Sequence, residues 1–127
     1  MENDGSSYLN GDPKPSKEDV EKALGRHGLA WWVELIEGFS IDVARNWENE
    51  KIGLLFIDGN HRTAKRDYDA WKPYFARDAI VAFHDSNNDL SGKFTVHQDI
   101  ISITKTRELT KIKTVDSLAV FRYNGPI

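Results

Sequence analysis

Apolar residues in this chain gather into two dense runs, and each run ends abruptly on acidic and imidazole groups. Residues 51–57 (KIGLLFI) lead into Asp58-Gly59-Asn60-His61, and residues 79–83 (AIVAF) lead into His84-Asp85. Runs of this length bounded by polar residues predict strands buried on both faces, as in a parallel sheet covered by helices. Ligands of such sheets bind beyond the carboxyl ends of the strands. Asp58, His61, His84 and Asp85 are therefore expected to form one site at two neighbouring strand ends.

The rest of the pattern alternates helices with strands. Ser16-Lys17-Glu18-Asp19 has the form of a capping box, Val20, Ala23 and Leu24 follow at helical spacing, and Gly28 is the expected stop. Residues 32–36 predict a strand ending at Glu37-Gly38-Phe39-Ser40, and residues 41–49 a second helix. A helix over residues 64–76 would gather Tyr68, Trp71 and Phe75, with Pro73 kinking or ending it early. After a polar loop at 86–93, residues 95–107 predict a helix with Val96, Ile100 and Ile103 on one face. Residues 109–115 and 118–123 predict two strands joined at Asp116-Ser117, hence an antiparallel pair. Residues 1–15, rich in Gly, Pro, Asn, Asp and Ser, read as a flexible segment, leaving 16–127 as a single domain. The order implies an α/β fold with a mostly parallel sheet and an antiparallel C-terminal edge.

Composition narrows the function classes. A net charge of −3 with both signs interspersed argues against a nucleic-acid footprint. No apolar run approaches the roughly 20 residues that span a bilayer, and no secretory leader is read at the start, so a cytoplasmic protein without membrane partners is expected. The absence of cysteine excludes thiolate metal sites. Trp31 and Trp32 cannot both face one core, so one is expected at the surface or against a partner. A bare hydrophobic sheet edge would likewise invite association, which makes a homo-oligomer an expectation.

Several ordered motifs together resemble the class I S-adenosylmethionine-dependent methyltransferases, in particular the group of macrocin-type O-methyltransferases and cephalosporin-hydroxylase-like proteins. They are Glu37-Gly38-Phe39-Ser40, Ile57-Asp58-Gly59-Asn60-His61, Asp67-Tyr68-Asp69-Ala70-Trp71, Phe83-His84-Asp85 and the closing Ser117-Leu118-Ala119-Val120. The resemblance runs from about Gly11 to Tyr123. It implies a Rossmann-like sheet with helices on both faces, here N-terminally truncated, because no G-x-G-type turn follows a strand and the family's first two strands have no counterpart. It also implies the sheet order 3-2-1-4-5-7-6, of which the 4-5-7-6 block should be intact.

The resemblance implies the chemistry as well. Methyl transfer from S-adenosylmethionine to an oxygen of a small-molecule acceptor is the expected reaction. Gly38, Phe39, Ser40 and Asp58 would contact the cofactor, with Phe39 suited to stacking on adenine. Asp58 and Asp85, with His84 beside them, would hold Mg²⁺, and His61 would act as the base. The competing readings are a non-catalytic truncated domain serving as a binding module or remnant, and metal-dependent hydrolysis at the same cluster. Asp67 reads as a surface charge and Trp71 as a core anchor. Lys105, Arg107, Lys111 and Lys113 read as a solvated face, and His27 and His97 as surface or cap residues.

Overall fold

A computed structural model describes residues 15–59, 63–87 and 95–125 of the 127-residue chain. It divides at Phe39/Ser40 into two compact units.

In the first unit, helix α1 (Lys17–Arg26) begins with the capping box its sequence predicts. Ser16 Oγ accepts the Asp19 N–H at 3.1 Å, and the Asp19 carboxylate accepts the Ser16 N–H at 3.0 Å. Gly28, at φ +69°, turns the chain out of the helix, and the Leu29 N–H closes the end on the Leu24 carbonyl. A 3-10 turn follows at Ala30–Trp32. The strand expected over residues 32–36 does not form, and residues 33–39 carry no strand. An apolar run supplies only the tendency to extend. A strand also needs a neighbour for its backbone groups, and no described strand pairs with this one. Trp31 and Trp32 are consequently 91% and 80% exposed.

The second unit holds a four-stranded sheet in the order β1-β2-β4-β3, formed by β1 (Ile52–Ile57), β2 (Phe75–Phe83), β3 (Leu109–Val115) and β4 (Leu118–Tyr123). This is the order expected for the 4-5-7-6 block. β1 and β2 are parallel, and β4 runs antiparallel to both of its neighbours, so three of the four strands point the same way. The antiparallel strand lies inside the sheet beside β2, and β3 forms that edge. Helices α2 (Ser40–Arg45), α3 (Ala64–Trp71) and α4 (Val96–Thr104) complete the unit.

Three elements end earlier than the periodicity suggests, α4 among them at Thr104. Pro73 tightens the end of the α3 segment into a 3-10 turn at Lys72–Tyr74, so β2 starts at Phe75. The helix after Ser40 stops at Arg45, where its end tightens into i→i+3 bonds, the Asn46 and Trp47 N–H groups donating to the Val43 and Ala44 carbonyls. α3 and α4 cover one face of the sheet through Ala64, Tyr68, Val96, Ile100 and Ile103, which pack on Ile57, Val81, Phe83, Ala119 and Phe121. The aromatic core is edge-on: Phe83 and Phe121 lie 5.8 Å apart at 80°. The N-terminus of α3 is closed by α4, whose Asp99 carboxylate accepts the Lys65 N–H at 3.2 Å.

The expectation that β1 is buried on both faces is corrected. Ile57 is buried on the helix side, whereas Leu54 and Phe56, on the other, are 62% and 52% exposed. The helices of this unit in contact with the core all lie on one side, so one face of the sheet receives no cover from them.

Candidate metal and cofactor site

The register of β1 on β2 builds the site. Ile57 pairs with Phe83, and the His84 N–H donates to the Ile57 carbonyl at 3.1 Å, so both strands end at the same level. Parallel neighbours lie about 4.8 Å apart, which brings Asp58 and the His84-Asp85 pair within reach of each other. Asp85 adopts φ +55°, a left-handed conformation that Asp tolerates better than most residues. This sharp bend lets two consecutive side chains serve one place.

The His84 ring nitrogen Nδ1 stands 2.9 Å from Asp58 Oδ1 and 3.1 Å from Asp85 Oδ2. A proton on Nδ1 is therefore shared between two carboxylates that accept from it. One ligand atom from each of Asp58, His84 and Asp85 lies within 4.8 Å of the others. The face of Phe56 stacks near the imidazole, with ring centroids 6.4 Å apart. All three polar side chains remain partly open to solvent, at 49%, 40% and 31% exposure for Asp58, His84 and Asp85. Two carboxylates gathered around one ring nitrogen concentrate negative charge that a cation between them would offset. Two hard oxygen donors and an imidazole nitrogen suit a small divalent cation as well as a proton.

The loop behind the site is tied down. Ser86 is buried, and both its N–H (2.9 Å) and its hydroxyl (2.8 Å) donate to the Ser117 carbonyl in the β3–β4 turn. His97 Nδ1–H donates to the Ser86 carbonyl at 3.2 Å, so His97 braces this loop instead of merely lying at the surface.

Among the remaining expected residues, Ser40 opens α2, and its hydroxyl accepts the Trp71 indole N–H at 2.7 Å. Gly38 has φ +145°, which only glycine adopts readily. Phe39 is 68% exposed, its ring free to meet a ligand. Gly38 and Phe39 belong to the first unit, while Ser40, Asp58, His84 and Asp85 belong to the second. His61 lies outside the described residues.

Asp67 is the residue the sequence reading undervalued. Far from being a surface charge, it is half-buried in the first turn of α3, against Ser40 and Thr63. Burial pushes its pKa up, and hydrogen bonds from Ser40 and Thr63 only partly offset that. Its carboxylate also abuts Gly59, where a Cβ would come within 4.0 Å of Oδ2. Asp67 thus ties the start of α3 to Ser40 at the start of α2, with Gly59 of the loop after β1 beside it. The available signal was its place in the first helical turn, four residues after Thr63 and four before Trp71.

A family model for methyltransferase domains matches residues 1–86, two thirds of the chain. The chain belongs to the class I methyltransferase family. Solved structures of this family share its fold at low identity. An O-methyltransferase, TomG, from Streptomyces achromogenes, solved with S-adenosylmethionine and involved in tomaymycin synthesis, is 16% identical with a TM-score of 0.70. That match covers 85% of this chain and 57% of TomG. An O-methyltransferase from Bacillus cereus in complex with SAH is 14% identical, with a TM-score of 0.67, covering 86% of this chain and 60% of its own. A methyltransferase from Geobacter sulfurreducens matches at 16% identity and a TM-score of 0.64, over 85% of this chain and 52% of its own. The methyltransferase-like chain thus spans little more than half the length of the structures it resembles. No curated protein matches its sequence.

Proposed function

We propose that this chain carries the acceptor-side part of an S-adenosylmethionine-dependent O-methyltransferase, acting in the cytoplasm on a hydroxyl of a small molecule. The observation that carries the reading is the convergence of Asp58, His84 and Asp85 at the carboxyl ends of two adjacent parallel strands. Its support from relatives is that two structurally similar O-methyltransferases bind S-adenosylmethionine or SAH.

In this reading Asp58, Asp85 and His84 hold Mg²⁺, which supplies Lewis acidity toward an acceptor oxygen. The chain's own groups do the rest. His61 takes the acceptor's proton, and the new O–C bond forms as the S–C bond of the sulfonium breaks, in line. Gly38, Phe39, Ser40 and Asp58 contact the cofactor. The exposed Phe39 ring offers a stacking surface, and the Ser40 hydroxyl is already oriented by Trp71.

A second reading is favoured by one specific observation: the chain covers only 52–60% of those structures, and its sequence has no G-x-G-type turn. In that reading the chain by itself is a non-catalytic binding module, and S-adenosylmethionine binding requires further polypeptide.

Titrating the purified chain with Mn²⁺ under electron paramagnetic resonance, and with Mg²⁺ by calorimetry, tests the metal site. A single site is expected, weakened about tenfold or more by Asp58→Asn and by Asp85→Asn. Binding of equal strength in wild type and both variants would refute it. Calorimetry with S-adenosylmethionine separates the two readings: micromolar binding supports the enzyme, and no binding supports the module.

A further inference from the structure

Asp85 reaches the candidate site through a bend in its own backbone. Its φ of +55° is uncommon for any residue with a side chain, and such a conformation persists only where its surroundings over-determine it. The chain on either side of the bend is pinned to a different element. Before it, the His84 N–H donates to the Ile57 carbonyl at the end of β1. After it, the Ser86 N–H and hydroxyl both donate to the Ser117 carbonyl in the β3–β4 turn, at 2.9 and 2.8 Å. The Ser86 carbonyl is held separately, by Nδ1–H of His97 at 3.2 Å, eleven residues further on in the first turn of α4. A carbonyl only accepts, so this bond requires the imidazole to carry its proton on Nδ1. Ser86 is buried, so loss of the imidazole would leave its carbonyl without a partner and shielded from water.

We propose that His97 is a positioning residue for the candidate site: through Ser86 it locks the bend that keeps the Asp85 carboxylate beside His84 and Asp58. The proposal rests on the reading of those three residues as one site. The two bonds to Ser117 share a single acceptor and act on the N-terminal side of Ser86, leaving the peptide that follows it to be fixed by His97. With both sides of Ser86 held, Asp85 Oδ2 stands 3.1 Å from His84 Nδ1, and the same nitrogen stands 2.9 Å from Asp58 Oδ1. With the carbonyl released, Asp85 should relax toward right-handed backbone, the default for a residue with a side chain, and its carboxylate should swing away from the imidazole. His97 thus acts through a backbone carbonyl, as the outer partners of metal ligands commonly do.

Nuclear magnetic resonance on the full chain in EDTA reads the bend without any metal, from the three-bond couplings about the Asp85 φ angle. The wild type should show the left-handed pattern and His97→Ala an average over both hands. His97→Asn, whose amide N–H can stand in for Nδ1–H, should restore the wild-type pattern. Mn²⁺ titration under electron paramagnetic resonance then reads the site. His97→Ala should weaken binding about tenfold or more, and His97→Asn by no more than about threefold. Ile103→Val loosens the buried face of the same helix and should alter neither readout, which separates positioning from a general loss of stability. Should His97→Ala fail to fold, His97→Phe keeps a ring, lacks the donor and carries the same expectations. Left-handed couplings retained in His97→Ala overturn the proposal. So does Mn²⁺ bound equally tightly by wild type and His97→Ala, an equal loss in the two His97 variants, or an equal loss in Ile103→Val. A wild type that binds no Mn²⁺ overturns the metal reading alone, and the couplings then decide for or against His97.

Discussion

Replacing Glu108 with Ala should cost the chain about 2–3 kcal/mol, far more than a charge near the surface usually contributes. Glu108 stands immediately before β3, where its carboxylate oxygen Oε1 accepts the Tyr68 hydroxyl at 2.9 Å and the Lys72 ammonium at 3.0 Å. Lys72 also lies 5.4 Å above the Tyr68 ring. Tyr68 is 1% exposed, so removing its acceptor strands a buried hydroxyl, at about 1.5–3 kcal/mol for a bond to a charged partner. The Lys72 side chain keeps 29% of its exposure and the Glu108 side chain 15%, so solvent screening limits the ion pair to about 0.5–1 kcal/mol.

Glu108→Gln keeps an acceptor for Tyr68 and should cost only about 1 kcal/mol. Urea unfolding at pH 7, followed by circular dichroism, measures both. A double-mutant cycle of Glu108→Ala with Tyr68→Phe should show a coupling of about 1 kcal/mol or more. The pH dependence carries a definite sign. Burial pushes the Glu108 carboxyl up, but the bonds from Lys72 and Tyr68 outweigh it and hold the group below its ordinary value of 4.5. Its stabilisation is therefore complete above that value and is lost as pH falls through the lower folded-state one. Glu108→Gln should abolish that part of the acid slope. A cost below about 0.5 kcal/mol for Glu108→Ala, or equal costs for Ala and Gln, would refute the account.

Two further outcomes follow from the core and from Asp67. Phe83→Ala removes a fully buried ring edge-on to Phe121 and should cost about 3–5 kcal/mol in the same unfolding experiment. Asp67 has the opposite linkage to Glu108: its folded-state pKa is raised above the usual 3.8, so its contribution is full below that value and is lost as pH rises through the raised one. Asp67→Asn should flatten that decline in a pH series of melting temperatures, and an unchanged slope would show that the group ionises freely in the fold.

Much of the fold was written locally. The capping box at Ser16 and Asp19, the stop at Gly28, and the β3–β4 hairpin around Asp116-Ser117 depend on residues a few positions apart, and each stands where the pattern places it. The two apolar runs likewise named their own strand ends, and hence Asp58, His84 and Asp85, because a strand end is a break in a one-dimensional pattern. The family too was legible, since several short motifs in fixed order constrain one another. Other features needed neighbours that no local window contains. Residues 32–36 have the composition of a strand, yet extended backbone persists only where another strand takes its hydrogen bonds. Leu54 and Phe56 look like core in any window, and only the placement of α3 and α4 decides which face of β1 is covered. Trp71 was legible as a core anchor, but of Asp67 the local pattern shows only a place in the first turn of α3, because the partner Ser40 that both share is about thirty residues away and meets them only when α2 packs on α3. Periodicity along a chain reports which residues avoid water; which surfaces meet, and which are left bare, is settled only when the elements pack.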